Sequence, residues 1–446
     1  MLLPPQALPP PQAPLIAIVG ATVIDGTGAP PMADAVVVIR GRHILTVGRR
    51  GAIAVPPEAR QVQASGKWLV PGLIDMHVHL DEDISPEAYP LFGVTAVRDV
   101  GSRLVTLQKL RARAARGEPL PVMYWMGRNI DEGKPSWWGA VAVGAPREVP
   151  ALIQNMARQG VDGVKLYVRA GPQITRAVIR EAHRLGLSVT AHLERTLPSQ
   201  AVQAGIDNLE HVATLFLEFA PPPSGKQGFG RHFPTDARAD LRSPRAQRLI
   251  ALLRRHQVAV TPTMAVVTLP VEGERMATRL YRGWAEIPEG WRAFWKTRYW
   301  DFLTPKGWTA RDYRTARQAR ARYLQMVRLL HRAGVPLVAG TDTPAPWVLP
   351  GAGLLLELEW MTRAGMSPAE ALQSATGRAA KVLRKEEQVG TVRPGRLANL
   401  VLLDADPLQD IRNLRRIHAV FLQGRLLDRD ALRQKFLQAK PPPPGA

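Results

Sequence analysis

The feature that most constrains the fold of this chain is a regular alternation of short apolar segments with helix-like segments between residues 71 and 388. Short apolar runs separated by helical patterns predict parallel strands joined by crossover helices. Eight such units predict a (β/α)8 barrel, the TIM barrel of the α/β class. The candidate strands are 73–77, 96–100, 122–126, 164–168, 188–192, 208–212, 259–263 and 337–341.

Both ends of the chain have a different pattern, in which glycine and proline interrupt short alternating segments every few residues. Residues 15–70 and 389–436 therefore predict short antiparallel strands. Because chain termini often lie close together, we expect the two pieces to form one small β-sandwich domain beside a barrel at 71–388.

The outermost segments predict tails without a fixed structure. Residues 1–14 contain six prolines and no charged residue, and prolines recur at 441–444, so 1–14 and 437–446 are expected to be disordered. These prolines also interrupt the apolar run that a secretory signal needs, which favours a cytoplasmic location. The chain has no apolar run of about 18 residues, so no membrane partner is expected.

The composition limits the chemistry of any site. The chain has no cysteine, which excludes disulfides, thiolate metal ligands and cysteine nucleophiles. It has 59 Lys and Arg against 38 Asp and Glu, a net charge of +21, but the basic residues are spread over many segments. We interpret this charge as a solvated basic surface and expect no nucleic-acid partner. A homo-oligomer is left open.

Six side chains that can bind metal ions lie at the ends of five candidate strands or within them, on the side where barrel enzymes carry their chemistry. His77 and His79 end the first strand, and residues two apart in a strand point to the same face, so both imidazoles can reach one ion. A single pair at this spacing is often a coincidence, whereas a set spread over five strands predicts a metal site. The other four residues are Lys165, His192, His211 and Asp342.

The same residues lie in motifs that resemble those of the amidohydrolase superfamily of metal-dependent hydrolases. Within that superfamily, the chain looks like the branch that contains imidazolonepropionase-like proteins and prolidase-like carboxypeptidases. The resemblance covers nearly the whole chain and implies a barrel with a split sheet domain. It rests on Gly20-Ala-Thr-Val-Ile-Asp-Gly26, Pro71-Gly-Leu-Ile-Asp-Met-His-Val-His79, Val164-Lys165, Glu210-His211, Gly340-Thr-Asp342, Gly390-Thr-Val-Arg-Pro-Gly395 and Leu400-Val-Leu-Leu-Asp404.

The resemblance implies a centre with two divalent metal ions, with zinc the expected metal and cobalt, manganese or iron as alternatives. His77, His79 and Asp342 would hold one ion, and His192 and His211 the other. Lys165, carboxylated by carbon dioxide, would bridge both ions as its carbamate. A hydroxide shared by the two ions would be the nucleophile, and Asp342 would carry its proton to the leaving group.

Two of these assignments have structural alternatives. A lysine in an apolar strand can instead extend to the barrel rim or pair with a carboxylate such as Asp99. His192 can instead be a hydrogen-bonded imidazole in the core. The carbamate is favoured for Lys165 because an ammonium group beside two dications would be strongly repelled.

Two further residues are candidates for contact with the substrate. Tyr167 lies two residues after Lys165 and should share its face, where a phenol can polarise the scissile carbonyl group; packing in the barrel is the alternative. Arg98 ends the second candidate strand, where a guanidinium can bind a substrate carboxylate bidentately. It can equally pair with Asp99. Arg169, beyond the fourth strand, is a second candidate for binding a carboxylate.

The connection after the seventh candidate strand, about 266–332, is unusually long and rich in tryptophan. Long insertions at strand ends of barrels often cover the site and shape specificity. The alternatives are that these side chains form the core of the insertion or a dimer contact. The residues concerned are Trp284, Trp291, Trp295, Trp300 and Trp308, with Trp137 and Trp138 after the third strand.

Together these patterns predict a binuclear metal-dependent amidohydrolase that cleaves a carbon–nitrogen amide bond of a small molecule, such as a dipeptide or an N-acyl amino acid. A cyclic amide or lactone hydrolase of the imidazolonepropionase type is an alternative. A mononuclear deaminase is less favoured, because such relatives lack the bridging lysine. A non-catalytic basic barrel used for binding is the alternative of another class, and the intact ligand set argues against it.

Overall fold

The computed structural model describes residues 13–82, 85–137, 139–221, 230–296 and 307–440. Trp138, Trp300, residues 1–12 of the N-terminal tail and residues 441–446 of the C-terminal tail lie outside the described residues. None of the described helices is long and apolar enough to span a membrane.

The N-terminal segment forms five strands of one sheet. The first strand is central, since it pairs antiparallel with the second and parallel with both the fourth and the fifth. Ile18 and Val37, which face each other across the first pair, are fully buried. The strands are β1 (Leu15–Val23), β2 (Met32–Arg40), β3 (His43–Arg49), β4 (Arg60–Gln63) and β5 (Trp68–Pro71).

The central part of the chain contains two parallel sheets, which hold seven of the eight predicted strands. The first sheet has the order β6-β7-β8, with β6 (Leu73–Val78), β7 (Val94–Asp99) and β8 (Val122–Trp125). The second has the order β10-β9-β11-β12-β13-β14, and its strands β9 and β10 were not predicted. It consists of β9 (Ile130–Glu132), β10 (Val141–Val143), β11 (Gly163–Leu166), β12 (Ser188–Ala191), β13 (Asn208–Glu210) and β14 (Ala259–Thr261).

The eighth predicted strand, 337–341, forms isolated bridges and single hydrogen bonds instead of a regular ladder. On one side, Val338 N donates to Val260 O at 3.1 Å. On the other side, Met76 N donates to Ala339 O at 2.9 Å, and Asp342 N donates to His77 O at 2.8 Å. This segment therefore connects β14 of the second sheet to β6 of the first, and it brings Asp342 next to the end of β6.

Helices follow most of the parallel strands, as the alternating pattern predicted. The predicted segments around 174–184, 199–204 and 244–256 are helical. The longest described helix, Ala310–Ala333, begins at a capping box between Thr309 and Asp312. The helices are α1 (Ala88–Leu91), α2 (Leu104–Ala115), α3 (Val149–Arg158), α4 (Pro172–Arg184), α5 (Pro198–Ala204), α6 (Phe233–Asp236), α7 (Pro244–Arg255), α8 (Met264–Tyr281), α9 (Glu289–Trp295), α10 (Ala310–Ala333), α11 (Ala352–Arg363), α12 (Pro368–Ser374) and α13 (Gly377–Val382).

The C-terminal segment returns to the N-terminal sheet. It forms β15 (Leu400–Leu403), β16 (Ile417–Leu422), β17 (Arg425–Leu426) and α14 (Arg429–Leu437). Strand β15 pairs antiparallel with β5, so both chain ends contribute to one sheet of order β17-β16-β15-β5-β1-β2-β3. Hydrogen bonds join all eight strands into a single sheet that branches at β1.

The tryptophan-rich insertion consists of α8, α9 and α10, and its described tryptophans pack as a core. Trp291 and Trp295 are buried, and the Trp295 ring contacts that of Trp347 with centroids 5.3 Å apart. Trp295 Nε1 also donates to Pro344 O at 2.8 Å. Trp284 lies under the Arg415 guanidinium at 4.4 Å. Trp295 and Trp284 therefore pack against residues outside the insertion, and Trp295 attaches it to the loop that follows Asp342.

Candidate metal centre

His77, His79 and Asp342 form a compact group at the end of β6. The Nε2 atoms of His77 and His79 lie 3.2 Å and 3.0 Å from Oδ1 of Asp342. The potential ligand atoms of the three residues all lie within 4.8 Å of one another. The strand register places both histidines on one face, and the bond from Asp342 N to His77 O fixes the aspartate beside them. The structure thus brings together the three residues expected to share one ion.

The remaining predicted histidines continue this group as a row of rings. The His77 and His211 ring centroids are 4.8 Å apart, and those of His211 and His192 are 4.4 Å apart. Tyr167 follows, with its ring edge-on to His192 at 5.5 Å. At the other end, the His79 ring lies 5.4 Å from that of His77. His192 and His211 are therefore adjacent to the first group and to each other.

Two of these residues have unusual backbone conformations. His211 and Asp342 both have φ of 62°, although neither is glycine. Non-glycine residues with positive φ are uncommon. Each such conformation costs of order 1–3 kcal/mol and persists only where the surrounding structure holds it. His211 N donates to Thr261 O at 2.9 Å, which helps to fix this conformation. Strain of this kind is often concentrated at functional sites.

Lys165 lies in the middle of β11, opposite Thr190 of β12, and is only 1% exposed. Within the described ranges its ammonium group has no hydrogen-bond or ion-pair partner. The alternative pairing with Asp99 is not formed, because that carboxylate accepts hydrogen bonds from Leu80 N at 2.7 Å and Ser102 N at 2.8 Å. Burial lowers the pKa of Lys165 to about 8.

Burial also sets the charge of the site histidines. It lowers the pKa of His192 to about 4 and that of His211 well below its ordinary value. Both rings are therefore neutral at neutral pH, the form that binds metal ions. Burial alone would raise the pKa of Asp342, but the neighbouring His77 and His79 hold it well below its ordinary value. Asp342 is therefore a carboxylate.

Glu210 is a buried residue at this centre that had no predicted role. Its Oε2 lies 2.8 Å from Nδ1 of His77. Its Oε1 accepts hydrogen bonds from Arg98 Nη2 at 2.5 Å and Asn208 Nδ2 at 2.7 Å. The fully buried carboxylate therefore fixes the orientation of His77. The sequence feature that could have pointed to Glu210 is its position directly before His211, at the end of a buried strand.

The position of Arg98 does not support the role expected for it. Its guanidinium is buried and bound to Glu210, and its Nε donates to Met76 O at 2.6 Å. A guanidinium that is buried and held by these two partners is not available to a substrate carboxylate. The predicted alternative partner, Asp99, is not its partner either. Arg169, the other arginine considered, is exposed, and its backbone N donates to Asp131 at 2.9 Å.

An ion pair lies close to the histidine row on the strand-end side. Glu194 follows His192 by two residues, and its carboxylate pairs with the guanidinium of Arg231. Arg231 Nε donates to His232 Nε2 at 3.0 Å. All three side chains are between 21% and 26% exposed. Arg231, in the loop before α6, is thus a partly accessible cation whose partner Glu194 is close enough to His192 for their charges to interact.

The donor set fits divalent metal ions. His77, His79 and Asp342 present two imidazole nitrogens and a carboxylate oxygen towards one another. The Nδ1 atoms of His77 and His211 are engaged by Glu210 and Thr263, which leaves the Nε2 atoms as donors. Imidazole and carboxylate ligands of this kind suit zinc and similar ions, and such outer partners are typical of metal-binding histidines.

Several solved structures have a similar fold over nearly the whole chain. Phenylurea hydrolase B shares 21% identity and a TM-score of 0.69, over 94% of this chain and 98% of that one. A Xaa-Pro dipeptidase with methionine bound in its active site shares 21% identity and a TM-score of 0.67, over 93% and 99%. A candidate prolidase from Bifidobacterium longum shares 22% sequence identity and a TM-score of 0.70, over 95% of this chain and 99% of that one. No curated protein sequence matches.

The sequence model of the Amidohydrolase family matches residues 68–427. That match spans far more than half of the chain and includes all six predicted metal ligands. The resemblance to this family found in the sequence motifs is thereby confirmed. The chain belongs to the amidohydrolase family, whose members are hydrolases that act on carbon–nitrogen bonds.

Proposed function

We propose that this protein is a binuclear metal-dependent hydrolase that cleaves the carbon–nitrogen bond of an amide. The observation that carries the proposal is the convergence of His77, His79 and Asp342 within 4.8 Å, next to the rings of His211 and His192. The linkage of β14 to β6 through 336–343 supports closure of the parallel strands into a (β/α)8 barrel around these residues.

His77, His79 and Asp342 would hold one ion, and His192 and His211 the other, with zinc the expected metal. Lys165 would bridge the two as a carbamate. Its burial without a partner among the described side chains supports this assignment, because an isolated buried ammonium is costly. Carboxylation joins the neutral amine nitrogen to the carbon of CO2 and releases one proton, which converts a cationic side chain into an anionic ligand.

The bound ions would supply Lewis acidity, which polarises a carbonyl group and acidifies water at neutral pH. The chain supplies the proton transfer and orientation. Asp342, as a carboxylate, would accept a proton from the attacking water and deliver it to the leaving nitrogen. Tyr167, edge-on to His192 at 5.5 Å, would donate a hydrogen bond from its phenol to the scissile carbonyl oxygen.

For the substrate, we propose a dipeptide or an N-acyl amino acid with a free carboxylate. The Xaa-Pro dipeptidase among the similar structures acts, by its name, on such a compound. Arg231 takes the role first assigned to Arg98, since its guanidinium is 21% exposed and lies near His192 through its pairing with Glu194.

A second candidate is an uncharged urea or amide. It is favoured because both candidate arginines already form ion pairs within the protein, Arg98 with Glu210 and Arg231 with Glu194. Phenylurea hydrolase B, among the similar structures, is named for a neutral substrate. The pairing of Arg231 is partly exposed, so a substrate carboxylate can still compete for it.

Elemental analysis and a substrate panel test the proposal. The purified protein, expressed with added zinc, should contain about two ions per chain and hydrolyse a dipeptide or N-acyl amino acid faster than its carboxamide. Preference for neutral ureas would select the second candidate. A protein that binds no divalent ion would contradict the metal-dependent hydrolase, and one that binds a single ion would contradict the binuclear centre.

A further inference from the structure

The hydrogen-bonding state of the His211 ring follows from its neighbours. Its Nδ1 lies 2.7 Å from the hydroxyl oxygen of Thr263. That hydroxyl also lies 2.8 Å from Pro262 O, which can only accept. When the hydroxyl hydrogen is directed to Pro262 O, the hydroxyl oxygen accepts a hydrogen bond from Nδ1–H of His211. This arrangement holds the ring in the tautomer that leaves the Nε2 lone pair free.

Thr263 performs this function in a conformation that it does not favour. It is fully buried and occupies the left-handed region, with φ of 50° and ψ of 49°. β-Branched residues rarely adopt positive φ, and strain of this order, about 1–3 kcal/mol, persists only where the surroundings impose it. The hydroxyl therefore depends on contacts made by the residues next to Thr263.

Glu357 makes those contacts. Its Oε1 accepts a hydrogen bond from Met264 N at 2.9 Å, and its Oε2 accepts one from Ala265 N at 2.8 Å. Met264 and Ala265 are the first two residues of α8, whose N–H groups have no partner inside the helix. Burial raises the pKa of this carboxyl to about 8, and the two N–H hydrogen bonds act against that shift. Glu357 is fully buried on α11, so it fixes the start of α8 relative to α11.

We propose that Glu357 is a positioning residue for His211, acting through the start of α8 and the hydroxyl of Thr263. The inference rests on the proposed metal centre, because its purpose is to present Nε2 of His211 to an ion. Loss of the carboxylate would release Thr263 from its left-handed conformation and free the His211 ring to rotate or change tautomer. The ion assigned to His192 and His211 would then bind more weakly, while the ion at His77 and His79 would not.

Zinc titration of the metal-free full-length protein, in competition with a chromophoric chelator, tests this inference without an activity assay. Thr263→Val removes the hydroxyl at nearly constant volume and should weaken one of the two ions about 10–100-fold. Thr263→Ser keeps the hydroxyl and should bind both ions as the wild type does. Glu357→Gln should show the same selective loss, because its amide NH2 would face an N–H donor.

Glu359→Gln is the matched control. Glu359 lies on the same helix, is 8% exposed and pairs with Arg415 instead of the start of α8. This variant should keep both affinities. If Glu357→Gln folds, loses thermal stability and still binds both ions like the wild type, Glu357 only stabilises the fold and the inference is wrong. If Glu357→Gln does not fold, the comparison of Thr263→Val with Thr263→Ser decides, and equal binding by the two overturns the inference.

The zinc titration gives a different result if the proposed function itself is wrong. In that case the wild-type protein itself would bind no zinc, and the inference about Glu357 would be wrong with it. A wild-type protein that binds two ions, with Thr263 and Glu357 variants that bind them equally well, would leave the proposed function intact and overturn the inference alone.

Discussion

The carboxylate of Glu210 and the imidazole of His77 are hydrogen-bonded at 2.8 Å, between Oε2 and Nδ1, and both side chains are buried. The other oxygen of Glu210 is bound to the Arg98 guanidinium. This contact fixes the His77 ring with Nδ1 towards the carboxylate and Nε2 towards Asp342. Glu210 therefore orients a proposed metal ligand without being one, and its role can be tested separately from those of the proposed ligands.

We expect Glu210→Gln to reduce metal affinity and turnover about 10–100-fold, as is typical when the outer partner of a metal-binding histidine is replaced. The glutamine places an amide where Arg98 and His77 need an acceptor. Glu218→Gln is a suitable control, because Glu218 lies on the same stretch of chain but binds Ser199 Oγ at 2.9 Å. Measured zinc affinity and kcat equal to those of the control would contradict the role of Glu210.

Lys165→Ala should abolish activity if the carbamate bridges the two ions. Short-chain carboxylic acids added to this variant should restore part of the activity, because they can supply the missing anionic bridge. Lys165→Arg should not be rescued, since guanidinium keeps its positive charge and cannot be carboxylated in the same way. An alanine variant with wild-type turnover would show that Lys165 is not a ligand.

Asp342→Asn should lower kcat far more than it changes KM. General acid–base catalysis contributes about 10²–10⁴-fold in rate, and an amide cannot accept the proton of the attacking water. Steady-state kinetics on a variant reloaded with metal would measure the two parameters separately. A decrease of only a few-fold in kcat would assign proton transfer to another group, of which Tyr167 is the nearest candidate.

Arg231→Gln should raise KM for substrates with a free carboxylate by about tenfold or more, because a hydrogen bond between charged groups contributes about 1.5–3 kcal/mol. KM for the matching carboxamides should stay unchanged. Arg195→Gln is the control, since Arg195 is exposed and pairs with Glu132 instead. An equal loss for carboxylates and carboxamides would indicate that Arg231 only anchors its loop to Glu194.

Asp236 should make a contribution to the free energy of unfolding that falls as pH rises from about 4 to about 8. Burial raises the pKa of this carboxyl to about 8, and the Tyr323 hydroxyl donates a hydrogen bond to it. The folded protein therefore keeps a proton that the unfolded chain loses above pH 4, so this contribution is complete at low pH and is lost as pH reaches 8. Denaturant unfolding at several pH values measures it.

Asp236→Asn removes this proton uptake and should flatten that part of the pH dependence. The variant should gain stability relative to the wild type between pH 7 and pH 8.5. Asp240→Asn removes a negative charge from an exposed position nearby and is the comparison for charge alone. Parallel pH curves for the wild type and Asp236→Asn would show that Asp236 does not titrate with folding.

Local pattern was sufficient to predict seven strands and the six metal-ligand candidates. The His77-Val-His79 spacing and the strand-end positions of His211 and Asp342 are properties of short segments, and barrel geometry brings such segments together. The eighth strand was predicted in the correct place, but its backbone makes only isolated bridges. Its apolar residues did not reveal how regular its hydrogen bonding would be.

The partners of the ligands could not be predicted from the sequence. Arg98 was expected to face the site, and its side chain is buried there, but its partner is Glu210, which lies 112 residues away. Thr263 and Glu357 act on His211 through contacts between different strand–helix units. Such pairings depend on the packing of distant segments, and neither propensity nor periodicity contains that information.

The hydrogen bond from Asp342 N to His77 O has a consequence for the order of events during folding. His77 and Asp342, the first and last residues along the chain that are proposed to hold one ion, are adjacent only after the segment at 336–343 has reached β6. A nascent chain, or one truncated before that segment, would have the two histidines but not the aspartate. An ion that needs all three ligands would therefore bind only the closed structure and stabilise it by mass action, so metal occupancy would report that the chain has finished folding.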